Sequence, residues 1–335
     1  MNDAALEVRS LSIDYVGRNS TVRSLDGADL VVQPGEIVGV VGESGSGKST
    51  LAAAIGRILP TSAERSGGDV TIFGRSVFGL DDRSIRGLRR KEIGFVFQNP
   101  ISTLDPTKRI GKQMRDALAG TGADIGDMLR SVGLADPKRV LSAYPHQLSG
   151  GMAQRVAIAI AMARKPRLLV ADEPTASLDR TVQATIMELL VQMSRADNTA
   201  LVIFTHDLRA VAQYCDRVVV MYGGRPVEDA SCSQIFDSPL HPYSQGLLAA
   251  AVGVEDQGDQ LKPIPGAPPV LHGTSIGCSF APRCTFADDT CRQERPEMRD
   301  VAAQMVACHH AERFTERITD LIAARMPDQT EATGA

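Results

Sequence analysis

The chain has 335 residues, of which 43% are hydrophobic, and it carries a formal net charge of −4 with a pI near 5.9. This length suits one large domain with a smaller second one, and the hydrophobic fraction suffices for a packed core. The mild acidity argues against a nucleic-acid partner held by clustered cations, and a tryptophan-free chain with 4% aromatic residues has few surfaces for stacking bases.

Apolar runs in the chain are too short for a transmembrane helix. The longest, such as 156–163, have about eight residues, whereas a helix needs roughly 20 to cross a bilayer. The first ten residues are polar and include acidic side chains, so no signal peptide is predicted. Any role at a membrane is therefore expected to come through a partner.

Predicted strands and helices alternate over the first two thirds of the chain. Strands are predicted at Leu6–Ile13 (an edge strand leading to Tyr15), Glu36–Val41, Asp69–Phe73, Ile93–Phe97, Arg167–Ala171 and Ala200–Phe204. Helices are predicted at Thr50–Ile58, at Thr181–Arg195 and over most of 84–165, with loops at 99–106 and 121–124. Gly223 and Gly224 join Val218–Tyr222 to Arg225–Glu228 as a hairpin. This alternation indicates an α/β fold with a largely parallel, covered sheet.

A glycine-rich segment between the strand Glu36–Val41 and the following helix fits a phosphate-binding loop. It comprises Gly42, Glu43, Ser44, Gly45, Ser46, Gly47, Lys48 and Ser49, and Thr50 follows in the helix. The glycines would let backbone N–H groups turn toward phosphates, and the helix N-terminus adds its positive end. Lys48 would neutralise the β- and γ-oxygens, and the Ser49 hydroxyl would ligate Mg²⁺. The alternative is a glycine-rich turn that binds nothing.

Two acidic residues follow the predicted strand Arg167–Ala171. Asp172 would complete the Mg²⁺ shell, and Glu173 would polarise a water for in-line attack on a γ-phosphate. The alternative is a carboxylate pair that caps a helix starting at Pro174. The phosphate loop upstream favours the catalytic interpretation.

A second glycine-rich motif, Leu148 to Met152 followed by Gln154 and Arg155, resembles the signature motif of ATP-binding cassette (ABC) ATPases. Ser149, Gly150 and Gly151 at a helix start would offer a hydroxyl and N–H groups to an anion. In that family the motif meets the γ-phosphate of ATP held by the other subunit.

The other marks of the ABC family follow in its order along the chain. Tyr15 matches the aromatic that stacks on adenine, and Gln98 matches the loop glutamine that senses the γ-phosphate beside Mg²⁺ and contacts the transmembrane subunit. Asp172 and Glu173 match the metal-shell aspartate and the catalytic glutamate. Asp179, in the segment Ser177–Asp179, matches the loop that crosses the dimer interface, and His206 matches the switch histidine. The resemblance implies an ATPase that uses ATP and Mg²⁺, on a mixed sheet core with a helical subdomain at about 84–165.

Further motifs resemble the ATPase subunits of dipeptide/oligopeptide importers. They are Tyr144 to Gln147, Asn99-Pro100 after Gln98, His241-Pro242-Tyr243, and Ile264 to Pro269. This likeness implies a peripheral subunit at the cytoplasmic face of the membrane that drives import of di- or oligopeptides. It implies two transmembrane permease subunits and an extracellular solute-binding protein as partners. Met152 stands where glutamine is commoner, as in the first of two paired ATPases, so a homologous second ATPase and a heterodimer are expected.

The sequence raises three rival functions. One is a nucleotide-binding regulator that does not hydrolyse ATP, and the presence of Glu173 argues against it. The same motor could serve another cargo, such as nickel, glutathione, a sugar or an antimicrobial peptide, because the ATPase does not touch cargo. A soluble ABC ATPase without a pore usually has two ATPase domains or a long coiled coil, and this chain has one phosphate loop and no heptad run.

Composition changes after Phe236, where prolines become frequent, so the ATPase domain is predicted at 1–237 and an irregular extension at 238–335. The extension contains Cys278, Cys284, Cys291 and Cys308. Four thiolates can bind Zn²⁺ or an iron–sulfur cluster, and the nearby basic residues Arg283, Arg292, Arg295, His309 and His310 would lower the thiol pKa values. Four-cysteine versions of this extension resemble those with a [4Fe–4S] cluster, which is therefore the expected cofactor, with Zn²⁺ or unmetallated thiols as alternatives. The last eight residues are expected to fray.

Overall fold

A computed structural model describes residues 4–18, 20–252 and 264–315 of the chain. In chain order its strands are β1 (Leu6–Val16), β2 (Thr21–Val32), β3 (Ile37–Val41), β4 (Ala63–Ile72), β5 (Arg75–Ser76), β6 (Ile93–Val96), β7 (Leu168–Asp172), β8 (Ala200–Thr205), β9 (Arg217–Tyr222), β10 (Arg225–Ser231), β11 (Arg299–Val301) and β12 (Gln304–Val306). Its helices are α1 (Lys48–Ile55), α2 (Asp82–Lys91), α3 (Pro100–Thr103), α4 (Ile110–Leu118), α5 (Ile125–Ser131), α6 (Pro137–Ser142), α7 (Gly150–Met162), α8 (Arg180–Ala196), α9 (Leu208–Tyr214), α10 (Cys232–Asp237), α11 (Pro242–Val252) and α12 (Asp289–Gln293). None of the described helices is long and apolar enough to span a bilayer.

The larger sheet has the order β11-β12-β10-β9-β3-β8-β7-β6. Strands β9, β3, β8, β7 and β6 run parallel, and β10, β12 and β11 extend the sheet as antiparallel strands. Every residue of β3 and β8 is buried, which is why these strands read as unbroken apolar runs rather than as alternating ones. The carboxyl ends of β3, β7 and β8 therefore meet at one edge of the sheet, where the predicted site residues follow them.

The smaller sheet is antiparallel and has the order β2-β1-β4-β5. Strand β1 lies between β2 and β4, so the prediction of an edge strand at Leu6–Ile13 is wrong, because β2 and a longer β4 pair with its two sides. Buried side chains of this sheet pack with those of α1 and the central strands in one core that includes Leu25, Leu51 and Phe204. This core fixes α1, and with it the phosphate loop, between the two sheets.

A second core holds helices α4 to α8 against the other face of the larger sheet. Met114, Leu129 and Val156 are fully buried in it. The helical region predicted at about 84–165 is confirmed, although β6 inside that range belongs to the core sheet and the loop predicted at 99–106 contains the single-turn helix α3. The mixed sheet with its helical layer confirms the predicted α/β fold class.

The C-terminal part of the chain packs directly onto the first part. Strand β12 pairs with β10, so the larger sheet continues into the extension. The fully buried carboxylate of Glu228 on β10 accepts hydrogen bonds from the backbone N–H groups of Leu240 (2.6 Å) and His241 (3.1 Å). The division at 237–238 stays a prediction, and the tail predicted to fray lies outside the described residues.

Candidate active site

The phosphate loop connects β3 to α1, and Gly47 is the residue that precedes the helix. Gly47 has φ +101°, and a Cβ at that position would lie 2.7 Å from the Ser24 carbonyl oxygen. Only glycine satisfies both the left-handed backbone and the close approach of β2. No side chain caps this helix, so the first N–H groups of α1 are available to an anion.

The Lys48 side chain turns back along the loop. Its Nζ donates to the carbonyl oxygens of Gly42 (2.7 Å) and Glu43 (3.0 Å), and the side chain is largely buried. Burial lowers the pKa of Lys48, while the negative charges of Glu173, Asp172 and Glu43 act in the opposite direction. The ammonium is thereby held at the mouth of the loop, where a phosphate would meet it.

Ser49 and Asp172 are adjacent although β7 and the loop are far apart in sequence. The Ser49 hydroxyl donates to Asp172 Oδ1 at 3.1 Å. Burial raises the pKa of Asp172, the nearby Glu173 raises it further, and the hydrogen bond from Ser49 opposes both effects. A hydroxyl and a carboxylate oxygen at this separation are hard donors of the kind Mg²⁺ takes beside substrate phosphates.

Glu173 and His206 face each other across the ends of β7 and β8. His206 Nδ1 lies 3.0 Å from Glu173 Oε1, and the backbone N–H of Glu173 donates to the Phe204 carbonyl. The Glu173 side chain is 14% exposed, whereas that of His206 is 69% exposed. A carboxylate held by an imidazole at the rim of a cleft is placed to orient a water molecule.

One cleft of about 600 Å³ is lined by most of the residues predicted to bind or hydrolyse the nucleotide held by this chain. Its lining consists of Ser24, Ser44, Gly45, Ser46, Gly47, Lys48, Ser49, Thr50, Gln98, Glu173 and His206. This volume lies within the range of about 300–1,000 Å³ typical of small-molecule sites. The cleft therefore has room for a nucleotide bound with its phosphates toward the loop.

The side of the cleft next to Tyr15 contains Ser24, which the sequence did not single out. The Tyr15 hydroxyl lies 3.3 Å from Thr50 Oγ1, which in turn lies 2.7 Å from Ser24 Oγ. Tyr15 is next to this lining rather than part of it. Ser24 gives no signal in the sequence, because it is a polar residue in the middle of a strand that the patterns did not predict.

The signature residues lie apart from this cleft. Ser149 caps α7, its Oγ accepts from the Met152 N–H (3.3 Å), and Gly150 and Gly151 form the first turn of that helix. Asp179 caps α8 in the same way through the Val182 N–H (3.0 Å). Both helix starts lie outside the cleft lining, and Ser149 and Gly150 are exposed.

The four cysteines of the extension line one small cavity, together with His241, Phe280 and His310 among others. Cys284 Sγ accepts from the Phe286 N–H and Cys308 Sγ from the His310 N–H, each at 3.4 Å. Donors of this kind stabilise a sulfur that carries negative charge, so they favour the thiolate form of Cys284 and Cys308. Cys291, His310 and Asp288 also place one ligand atom each within 4.8 Å of the others.

The predicted lowering of the thiol pKa values is wrong. Burial raises the pKa of Cys278 to about 11 and that of Cys308 to about 12, and it raises those of Cys284 and Cys291 as well.

The arginines beside the cysteines in sequence point elsewhere. Arg283 pairs with Glu43, Arg295 pairs with Asp26, and Arg292 pairs with Asp289. The three guanidinium groups are therefore paired with carboxylates rather than with the cysteine sulfurs.

The carboxyl edge of the mixed sheet carries a phosphate loop, an acid pair and a histidine. The helical layer presents a separate glycine-rich helix start. Together these features define the chain as an ATP-binding cassette. A family model described as ABC transporter matches residues 25–176, and a second, described as the C-terminal region of oligopeptide/dipeptide transporters, matches residues 227–291.

Individual relatives agree with the family models. The chain is 43% identical over 310 residues to the "Probable peptide ABC transporter ATP-binding protein y4tR" of Sinorhizobium fredii, covering 89% of this chain and 92% of the relative. It is 40% identical to the "Oligopeptide transport ATP-binding protein OppD" of Salmonella typhimurium, covering 90% and 92%. The solved ATP-binding cassette MJ0796, dimeric and bound to ADP and Pi, matches with a TM-score of 0.60 at 29% identity over 68% of this chain and 98% of that chain. The chain therefore belongs to the ATP-binding proteins of ABC transporters, and it is an ATPase of that type.

Proposed function

We propose that this ATPase energises the import of di- or oligopeptides through an ABC transporter. The observation that carries the proposal is the Glu173–His206 pair (3.0 Å), which lines the same cleft as Lys48 and Ser49. The peptide cargo is inferred from the match to the C-terminal region of oligopeptide/dipeptide transporters and from the names of the relatives.

The reaction follows from the residues around the cleft. The N–H groups of the loop and the Lys48 ammonium bind the β- and γ-phosphates. Ser49 and Asp172 are the ligands we assign to Mg²⁺, with Gln98 beside them, and the ion would neutralise charge on the phosphate oxygens. Glu173 would polarise the attacking water, and His206, whose Nδ1 lies 3.0 Å from Glu173 Oε1, orients that carboxylate. Hydrolysis then depends on positioning and electrostatics rather than on a covalent intermediate.

The remote signature motif implies a second subunit in this proposal. Ser149, Gly150 and Gly151 of one ATPase would close on ATP bound to the cleft of its homologue, with Asp179 at the interface between them. The dimeric state of the solved cassette supports this arrangement, and Met152 supports a homologous partner that is not identical. ATP would favour the closed dimer and hydrolysis the open one, which makes the pair the two-state element that moves a permease.

Residues 98–106 are the surface we assign to the permease. In this segment the single-turn helix α3 starts at Pro100 and is capped by the side chain of the preceding Asn99. Its Ile101 side chain is 42% exposed. An apolar side chain next to Gln98 is a natural anchor for a membrane subunit. Two transmembrane permease subunits, an extracellular solute-binding protein and a position at the cytoplasmic face of the membrane complete the proposed assembly.

For the extension at 238–335 we propose a metal cofactor held by Cys278, Cys284, Cys291 and Cys308. A [4Fe–4S] cluster is the first assignment, and Zn²⁺ is the alternative. For Zn²⁺, Asp288, Cys291 and His310 group one oxygen, one sulfur and one nitrogen donor. Anaerobically purified protein should absorb near roughly 400 nm and contain iron and sulfide. Colourless protein that contains stoichiometric zinc would show that the cofactor is Zn²⁺ and not an iron–sulfur cluster.

Steady-state hydrolysis by the assembled transporter tests the proposal. Glu173→Gln should lower the turnover by about 10²–10⁴-fold while ATP still binds, because the variant loses only the base. Glu188→Gln on the exposed face of α8 is the matched control and should hydrolyse ATP like the parent. Equal turnover of the parent and Glu173→Gln would remove the catalytic role. Parent complex that hydrolyses ATP in proteoliposomes without taking up a labelled tripeptide would remove the peptide cargo.

A further inference from the structure

Two residues of the C-terminal extension contact the same residue of the phosphate loop. Arg283 donates two parallel hydrogen bonds to the Glu43 carboxylate, from Nη1 to Oε2 (2.7 Å) and from Nη2 to Oε1 (3.1 Å). The Tyr243 hydroxyl accepts a hydrogen bond from the Glu43 backbone N–H at 2.8 Å. The side chain and the main chain of Glu43 are therefore both fixed from outside the nucleotide cleft.

The groups that make these contacts are themselves held rigidly. The Arg283 side chain is 6% exposed, and its remaining donors reach the carbonyl oxygens of Pro265 (2.7 Å) and Ile264 (3.1 Å) and the Tyr222 hydroxyl (3.2 Å). Tyr243 is fully buried, with its ring centroid 4.5 Å from that of Tyr222. A bidentate guanidinium–carboxylate pair whose arginine makes further hydrogen bonds restricts the orientation of the carboxylate and also neutralises its charge.

Glu43 connects these contacts to the residues that bind phosphate. Its carbonyl oxygen accepts from Lys48 Nζ (3.0 Å) and from the Ser46 N–H (3.2 Å). Glu43 does not itself line the cleft. A movement of Glu43 would therefore displace both the Lys48 ammonium and the turn whose N–H groups face the phosphates.

We propose that Arg283 and Tyr243 are positioning residues for the ATPase: they hold the phosphate loop in its nucleotide-binding form through Glu43. A loop that is already ordered loses less conformational freedom when ATP binds, so these contacts raise ATP affinity. Arg283 directly precedes Cys284, and Ala281 and Cys284 line the cysteine cavity, so the same turn joins that cavity to the phosphate loop. The inference rests on the ATPase role of the cleft and is independent of the transported cargo.

ATP binding to the full chain, measured by titration calorimetry without hydrolysis, tests the inference. Arg283→Ala should weaken ATP binding by about tenfold, because charge-assisted hydrogen bonds to a largely buried group are lost. In the assembled transporter the same variant should raise the KM for ATP by a similar factor and change kcat by less than about twofold, since Glu173 and His206 are untouched. Arg283→Lys keeps the charge and should recover part of the affinity.

A matched arginine separates positioning from simple attachment of the extension. Arg295 also ties the extension to the first part of the chain, through Asp26 at 2.9 Å, but it makes no contact with the phosphate loop. Arg295→Ala should bind ATP within about twofold of the parent. The same tenfold loss in both variants would mean that Arg283 only anchors the extension, and the inference would fail.

A second variant decides the question if Arg283→Ala does not fold. Tyr243→Phe keeps the packed ring and removes only the oxygen that accepts from Glu43, so it should fold and weaken ATP binding by about threefold to tenfold. Parent-like ATP affinity in folded Tyr243→Phe and folded Arg283→Ala would overturn the inference. A parent complex that takes up no peptide would instead count against the proposed function, since the calorimetry does not involve transport.

Discussion

Replacing Gly47 by alanine should destabilise the protein far more than the same change at Gly45 in the same loop. Both glycines have a left-handed backbone, with φ +101° at Gly47 and +82° at Gly45. An alanine in this region costs about 1–2 kcal/mol at either position. The two sites differ in the space around the added methyl group.

The difference in magnitude comes from that space. A Cβ on Gly47 would lie 2.7 Å from the Ser24 carbonyl oxygen and 2.9 Å from Leu25 Cδ2, whereas a Cβ on Gly45 would meet no atom within 4 Å. Overpacking against a backbone carbonyl in the core adds about 1–3 kcal/mol. Gly47→Ala should therefore lower the free energy of unfolding by about 2–5 kcal/mol, and Gly45→Ala by about 1–2 kcal/mol.

Urea unfolding of the full chain, followed by circular dichroism, measures both values. Nucleotide is left out, so that lost ligand binding does not add to the lost stability. Comparison of the two alanine variants cancels the shared backbone cost. Equal destabilisation of the two variants, within about 0.5 kcal/mol, would refute the contact of Gly47 with β2 as the source of the difference.

Asp179→Ala removes the cap of α8 and should cost about 1 kcal/mol in thermal unfolding, whereas Asp179→Asn should not; an ATPase defect in Asp179→Asn alone would show an interface role separate from the cap. Phe204→Ala near the carboxyl end of the fully buried strand β8 should lower the free energy of unfolding by about 3–5 kcal/mol, seen as a lower urea midpoint. Burial lowers the pKa of His241 to about 3, so the unfolded chain binds one proton more between about pH 6.5 and 3. The contribution of the His241 side chain to the free energy of unfolding should fall by about 1.4 kcal/mol per pH unit of acidification in that window. His241→Asn, which keeps an acceptor for the Tyr243 N–H, should reduce the measured slope by about one proton; an unchanged slope would contradict the buried neutral imidazole.

Local features of the site were predictable from the sequence. The phosphate loop is a strand, a glycine-rich turn and a helix start within one short segment, so its residues lie together whatever the rest of the chain does. Asp172 ends one buried parallel strand, Glu173 and His206 directly follow two such strands, and the carboxyl ends of these strands meet at one edge. The structure places these residues around a single cleft, apart from Asp172, which reaches it through Ser49.

Features that depend on distant pairing were not predictable. Strand β1 reads as an edge strand because nothing in its own sequence shows that β2 and β4 flank it. Strand β2 was missed because polar residues and Gly27 interrupt its apolar pattern, and with it the contact of Ser24 to Thr50 was missed.

The arginines near the cysteines show the same limit for side chains. Arg283 is adjacent to Cys284 in sequence, yet its guanidinium reaches Glu43, which is 240 positions away. Proximity along the chain therefore suggested that the charge of Arg283 would act on the thiols. In the fold this charge lies at the phosphate loop instead. Burial, which no local motif reports, raises the thiol pKa values instead.

The sheet shared by the two parts of the chain limits how this motor can be recombined with others. A chain cut after Asp237 would leave the edge of β10 without β12, and an open edge of this kind invites pairing with other molecules. It would also leave the buried Glu228 carboxylate without the N–H groups of Leu240 and His241. Hybrids between related importers should therefore exchange the ATPase and its tail as one inherited unit, with the junction placed outside 217–315.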